Sequence, residues 1–395
     1  MPNQPRNRIQ PADRTAGFTE SVIRDMSRIA AREGAVNLAQ GFPDFAAPEA
    51  MKRAAGAAID ADVNQYAVTW GAPRLRRAVA ERTSTYNQVA TDPDLHVTVT
   101  CGATEAMIAA MLAVVNPGDE VIIFEPFYEN YGPDCTLSGA VPRFVRLRGK
   151  DWEMDRDEVR AAFGPKTKAI LINTPHNPTG KVFGRDELEF LAELCREHDV
   201  LAITDEIYEY ILFDGTEHLS IGSLPEMAER TITISGLSKT WSATGWRIGW
   251  CIAPKHLTEA IRKVHDFLTV GAPAPLQEAA ADALAFKPEY FDGLRATYEK
   301  RRDILLPALR ETGFRVHAPK GAYYIMAGIE DLRAAGQTDT DFAMALAAKG
   351  GVATVPGSSF FHDPKDGVDI IRFCFAKKFE TLDAAARILR ARLGA

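Results

Sequence analysis

A chain of 395 residues, 46% hydrophobic and 25% charged, has the composition of an ordinary soluble protein and is long enough for two or three cores. Its formal net charge of −7 and its densest basic cluster, only Lys300, Arg301 and Arg302 within a helical pattern, exclude a nucleic-acid footprint. No stretch approaches the ~20 apolar residues of a membrane span, the polar opening lacks a secretory apolar core, and five scattered cysteines without a CxxC pair indicate a reducing, cytoplasmic setting.

Residues 1–45 contain a helical pattern at 21–32 and a turn-rich GFPDF at 41–45. From residue 95 onward, β-rich runs at 96–100, 120–124, 169–173, 200–204, 231–235 and 249–252 alternate with helical patterns. One such pattern, 186–198, repeats Leu188, Leu191, Ala192, Leu194 and Cys195 at helical spacing. The rhythm predicts an α/β unit over residues 46–287 on a mainly parallel sheet. Beyond 287 it changes to a long charged helix from 288 to about 306, a strand at 322–326, a helix, a β-rich run at 370–375 and a final helix. These make a smaller α+β unit, 288–395, which residues 1–45 are expected to join.

In SGLSKTWSATGWRIG, residues 235–249, a lysine follows a predicted strand among small residues, and Arg247 comes eight positions later. A lone loop lysine is usually a solvated charge. Schiff-base chemistry, however, needs an amine whose pKa falls from about 10.4, because only the neutral form attacks an aldehyde. Burial of Lys239 beside Arg247 would supply that shift. Arg247 and the hydroxyls of Ser235 and Ser238 could also receive a phosphate, although either serine fits an ordinary turn.

CGATEA, residues 101–106, follows one predicted strand and opens a helix, so the backbone N–H groups of Gly102, Ala103 and Thr104 can point at an anion. In EPFYENY, residues 125–131, Tyr128 or Phe127 can stack on a ring or simply pack in the core. NTPHNPTG, residues 173–180, carries two prolines that force an irregular turn after a strand. VLAITDEIYEYI, residues 200–211, ends a buried strand at Asp205, a helix cap or a partner for a buried ring nitrogen. Arg372 is a lone cation in the alternating strand IRFCF, residues 371–375, and if buried demands an anion partner, for which a structural salt bridge suffices.

Over about residues 36–375 these tracts resemble, in order, the class I and II aminotransferases, a fold-type I family dependent on pyridoxal 5′-phosphate. The resemblance implies a large domain with a mainly parallel seven-stranded sheet and a smaller α+β domain. It implies that Lys239 forms the internal aldimine, that Asp205 faces the pyridine nitrogen, and that Tyr208 and Asn177 bond the phenolic oxygen. Tyr128 would stack on the ring. Gly102, Ala103, Thr104, Arg247 and one of Ser235 and Ser238 would hold the phosphate, and Arg372 with Gly41 and Asn177 the substrate's α-carboxylate. Tyr66, in NQYAVTWG, resembles the tyrosine that reaches the neighbouring subunit's phosphate, which implies a homodimer. No metal ligand set is implied. The reaction implied is ping-pong transfer of an amino group from an L-amino acid to a 2-oxo acid, with a cysteine-conjugate C–S β-lyase as the alternative. LAQGFPDF, NQYAVTWGAP and EPFYENY are most similar to the branch of kynurenine, glutamine, methionine and actinobacterial-type N-succinyldiaminopimelate aminotransferases. The chain departs from that pattern at Gly236, where many relatives carry serine, and at Val22 and Ile23, where some kynurenine enzymes carry a large aromatic.

Overall fold

The computed structural model describes residues 11–15, 18 and 20–394. A helix, Val22–Glu33, is capped by the Ser21 hydroxyl and closed by Gly34 at φ 65°, a left-handed turn that glycine enters without strain. It delivers the chain to the short strand β1 (Val36–Asn37).

The large sheet contains β2 (Val97–Thr100), β3 (Glu120–Glu125), β4 (Val141–Arg148), β5 (Glu153–Met154), β6 (Thr167–Asn173), β7 (Leu201–Asp205), β8 (Thr231–Gly236) and β9 (Gly249–Ile252). Their order is β2-β9-β8-β7-β6-β3-β4-β5. Strands β8, β7, β6, β3 and β4 run parallel, β9 is antiparallel to both neighbours, and the two-residue β5 folds back on β4. The expected seven strands are therefore joined by a minimal eighth at the edge. All six runs named from the sequence are strands. Of the two not named, β5 is only two residues long, and β4 exposes Arg143 and Arg148, half-buries Phe144 and Arg146 and buries only Val145 and Leu147, so it lacks the continuous apolar run of a central strand.

Adjacent residues of each central strand feed opposite layers, as the pleat requires. Ile123, Leu171 and Ile203 pack under the helices Ala103–Val114 and Lys255–Thr269, whereas Ile122, Ile170 and Ala202 meet Leu188, Leu191 and Leu194 of the helix Arg185–Glu197.

Toward the C-terminus, β10 (Arg315–Val316) and β11 (Tyr324–Gly328) precede β12 (Val352–Ala353), β13 (Val355–Pro356) and β14 (Ile370–Cys374). A four-stranded antiparallel sheet has the order β10-β11-β14-β13, and β12 pairs in parallel with β1 from the other end of the chain. The long helix, Pro288–Glu311, continues past the expected stop near residue 306. Pro307 forfeits one turn bond there, but Leu305, Leu306, Ala308 and Leu309 are all buried and hold the last turns in place. The same helix puts Phe291 in a cluster with Trp241 and Trp250, and Tyr298 in another with Tyr208, Tyr324 and Phe373.

This arrangement gathers the C-terminal ends of the parallel strands, where open α/β sheets bind ligands. Asn173 ends β6, Asp205 ends β7, and Lys239 follows the end of β8 by three residues.

Candidate active site

A cavity of about 420 Å³ opens at these strand ends, lined by residues from Ser21 to Arg372. Lys239 lies half-buried in it, and its Nζ donates to the Gly41 carbonyl at 3.1 Å. Burial pushes its pKa down to about 8, and the nearby Arg372 and Arg247 push the same way against Asp205. About one amine in ten is then neutral at pH 7, against roughly one in a thousand for a free lysine, which is the state nucleophilic attack requires.

At one end of the cavity, Gly102 precedes the helix Ala103–Val114 with φ 85°. A Cβ on Gly102 would lie 2.3 Å from Arg247 Nη2, so both the backbone angle and the close guanidinium require glycine. Arg247 is held over this turn by its Nη1 donating to Thr244 O at 3.1 Å and its Nη2 to Cys101 O at 3.3 Å. Ala103, Thr104, Ser238 and Arg247 line the cavity here. Ser235 does not. Its hydroxyl donates to Glu209 Oε1 at 2.7 Å, which removes it as the alternative to Ser238. Glu209 belongs to a buried polar group in which Asn87 Nδ2 donates to both Glu206 and Glu209, and Ser220 donates to Glu206.

Beneath the Gly102 turn, Glu105 accepts from the Cys101 backbone N–H, from the Thr269 hydroxyl at 2.6 Å and from His265 at 2.7 Å. The other ring nitrogen of His265 lies 2.9 Å from Thr69 O, so both nitrogens face acceptors and the ring carries two protons. Burial opposes both charges, yet the mutual hydrogen bond wins: the Glu105 pKa is lowered and that of His265 is raised.

Deeper in, Asp205 accepts from the Tyr131 hydroxyl at 2.8 Å and from the Ile207 N–H at 3.2 Å, while burial pushes its pKa up. Asp134 also lines the cavity, and its Oδ2 is buried without a hydrogen-bond partner. Burial and the charge of Asp205 push the Asp134 pKa up to about 7. Tyr128 borders the cavity, with its ring 5.6 Å edge-on from Tyr131. Phe127 instead stacks on Phe144 in the core, 5.4 Å away.

At the opposite end, Arg372 is fully buried on β14. Its Nη1 donates to Asn177 Oδ1 at 2.9 Å and its Nη2 to Ala39 O at 3.1 Å, and its Nε has no partner. Among the described residues no carboxylate pairs with it. The structural salt bridge is thus absent among the described residues, and the buried guanidinium is left free to take an anion from the cavity. Asn173 holds this end to the β7 terminus: it accepts from the Asn177 N–H at 2.7 Å and donates to Asp205 O at 2.8 Å. Tyr208 lines the cavity, its hydroxyl 3.0 Å from that of Tyr324. Gly41 joins the lining, its carbonyl also accepting from Tyr323 at 2.8 Å. Tyr66 is not part of the lining and stands 86% exposed on the surface.

The sequence reading missed Tyr131, Asp134, Asn173 and Tyr324. Tyr131 and Asn173 lie within tracts already singled out, a few residues from Tyr128 and Asn177. Asp134 was signalled only by a charge in an otherwise uncharged helix, Tyr131–Ser138, and Tyr324 by nothing beyond a strand aromatic.

The family model for aminotransferase class I and II matches residues 33–389. A probable N-succinyldiaminopimelate aminotransferase of Mycobacterium tuberculosis is 42% identical over 384 residues, covering 94% of this chain and 96% of the relative. The methionine aminotransferase of Escherichia coli is 36% identical, covering 97% and 99%. The solved structure of N-succinyldiaminopimelate aminotransferase from Mycobacterium tuberculosis superposes with a TM-score of 0.93 at 41% identity, over 97% of this chain and all of that one (100%). With its lysine, carboxylates and unpaired arginine gathered in a single cavity, the chain belongs to the class I and II aminotransferases.

Proposed function

We propose that this aminotransferase carries pyridoxal 5′-phosphate covalently on Lys239 and moves the amino group of an L-amino acid to a 2-oxo acid in two half-reactions. The residues fit that group. The Gly102 turn is a cradle that a single Cβ would fill, with the positive end of a helix behind it and Arg247 above it, as a phosphate needs. When bound, the cofactor supplies an electron sink for the charge left at substrate Cα as its proton departs. Asp205, its carboxylate fixed by Tyr131, would hold the ring nitrogen. Tyr128 would pack on the ring, and Tyr208 and the Asn177 amide would serve the phenolic oxygen. Arg372, aided by Asn177 and the Gly41 backbone, clamps the α-carboxylate, and the freed Lys239 amine moves the proton from Cα.

The observation that carries this reading is the pairing of two cations in one cavity, a Lys239 of depressed pKa and a buried Arg372 without an anion. The organisation proposed alongside it joins 1–45 with 288–395 and leaves 46–287 as the cofactor domain, supported by the β1–β12 pairing. A homodimer is supported by Phe267, 91% exposed, and Tyr66, 86% exposed, on neighbouring segments that the His265–Thr69 contact ties to the Gly102 turn. A second copy covering them would share the site. Five free cysteines favour the cytoplasm. Arg24 and Glu129 stand together at the cavity wall, so no single sign of charge selects the side chain, and methionine, glutamine, aromatic amino acids and N-succinyldiaminopimelate are the candidates to screen. The β-lyase alternative draws no support from the relatives.

Mixing the protein with the cofactor should give a new absorbance band, and Lys239→Ala should lose both band and turnover. A variant that keeps both would refute the assignment. A panel of 2-oxo acids offered to the pyridoxamine form then identifies the acceptor, and pyruvate released without any oxo acid would instead indicate lyase activity.

A further inference from the structure

Tyr324 reaches the cavity from β11, and its ring is held from two sides. The Arg372 guanidinium lies 4.2 Å over its centroid, and the Tyr208 ring is edge-on at 6.0 Å. Its hydroxyl occupies the space where a Cβ on Gly41 would fall, 2.3 Å away, so the absence of a side chain at Gly41 is what lets it reach the site. The Tyr324 hydroxyl lies 3.0 Å from that of Tyr208, within hydrogen-bonding distance. A single proton lies between the two oxygens, and either residue can supply it.

We propose that Tyr324 is a positioning residue that donates its hydroxyl proton to Tyr208, leaving the Tyr208 proton free to point into the cavity at the cofactor's phenolic oxygen. The inference rests on the cofactor reading above and adds to it a donor relay, Tyr324 to Tyr208 to ligand. Were the direction reversed, the Tyr208 proton would be spent on Tyr324, and a phenolic oxygen would face only the lone pairs of Tyr208. Acidity favours the forward direction. The Arg372 guanidinium lies directly over the Tyr324 ring, draws charge from that phenol and makes its hydroxyl the stronger donor. The more acidic hydroxyl is the better donor, and a donor that is itself receiving a hydrogen bond donates more strongly. The relay therefore stabilises a negative phenolic oxygen and lowers the pH at which the bound chromophore loses its proton.

A double-mutant cycle tests this, with the bound cofactor's absorbance titrated against pH in the unmodified protein, Tyr324→Phe, Tyr208→Phe and the double variant. Phenylalanine keeps the ring over Arg372 and removes only the hydroxyl. Tyr324→Phe should raise the titration midpoint by about 0.3–1 pH unit, with melting temperature and cofactor affinity little changed. In the Tyr208→Phe background the same substitution should move the midpoint by less than about 0.1 unit. An unmoved midpoint in the single variant, or an equal shift in both backgrounds, overturns the relay. If the unmodified protein gains no absorbance band on adding the cofactor, the cofactor reading fails, and the relay with it.

Discussion

The two ends of the cavity are built from different materials. Around Gly102 the groups proposed to bind are backbone N–H donors of consecutive residues at a helix start, closed over by one arginine from the β8–β9 connection. Around Arg372 they are side chains brought from distant parts of the chain, as in the contact of Arg372 with Ala39, separated by 333 residues. The first end depends on local geometry and tolerates most side-chain changes that spare the turn. The second depends on tertiary structure and concentrates its affinity in one guanidinium.

The sharpest way to break that contrast is Arg372→Ala, which removes the cation and strands the Asn177 and Ala39 oxygens. We expect a loss of about 3–5 kcal/mol, roughly 10²–10⁴-fold in kcat/KM, with cofactor affinity preserved. A parallel collapse of cofactor binding, measured by absorbance, would show that the ends are not independent. Gly102→Ala should do the converse. Strain at φ 85° and the collision with Arg247 should cost about 1–3 kcal/mol, raising the cofactor Kd about 5–150-fold, while KM for the amino acid at saturating cofactor changes little.

The smallest effect refines the first end. His265 has a raised folded pKa, so its pairing with Glu105 contributes fully below the unfolded value near 6.5 and fades as pH rises through the folded one. Glu105, with a lowered pKa, sets the acid limit, its contribution being full above the unfolded value near 4.5 and lost as pH falls through the folded one. His265→Asn should therefore lower stability by about 1–2 kcal/mol near pH 6, and the gap in melting temperature from the unmodified protein should narrow toward alkaline pH.

The local end was the more legible in the sequence. Gly102, Ala103 and Thr104 declare themselves through a strand, a glycine and a helix start in succession, and Lys239 and Asp205 through chemistry placed at strand ends. Arg372 was visible as a lone cation in an apolar strand, but its partners were not, because nothing in local spacing reports what lies hundreds of residues away. Tyr324 reads as any buried strand aromatic, and only the empty space at Gly41 reveals why its hydroxyl matters. Ser235 was open for the opposite reason. Hydroxyls three residues apart look equivalent on paper, yet the strand turns one of them toward Glu209. The peripheral strand β4 stayed hidden because its partial exposure allowed it three arginines.

Asp134 turns the inner wall of the cavity into a proton reservoir. With its acid near 7, about half of the molecules in neutral solution hold a proton there. A positively charged ring settling against that wall would expel it, so loading the protein becomes coupled to the acidity of the medium and weakens as acid accumulates.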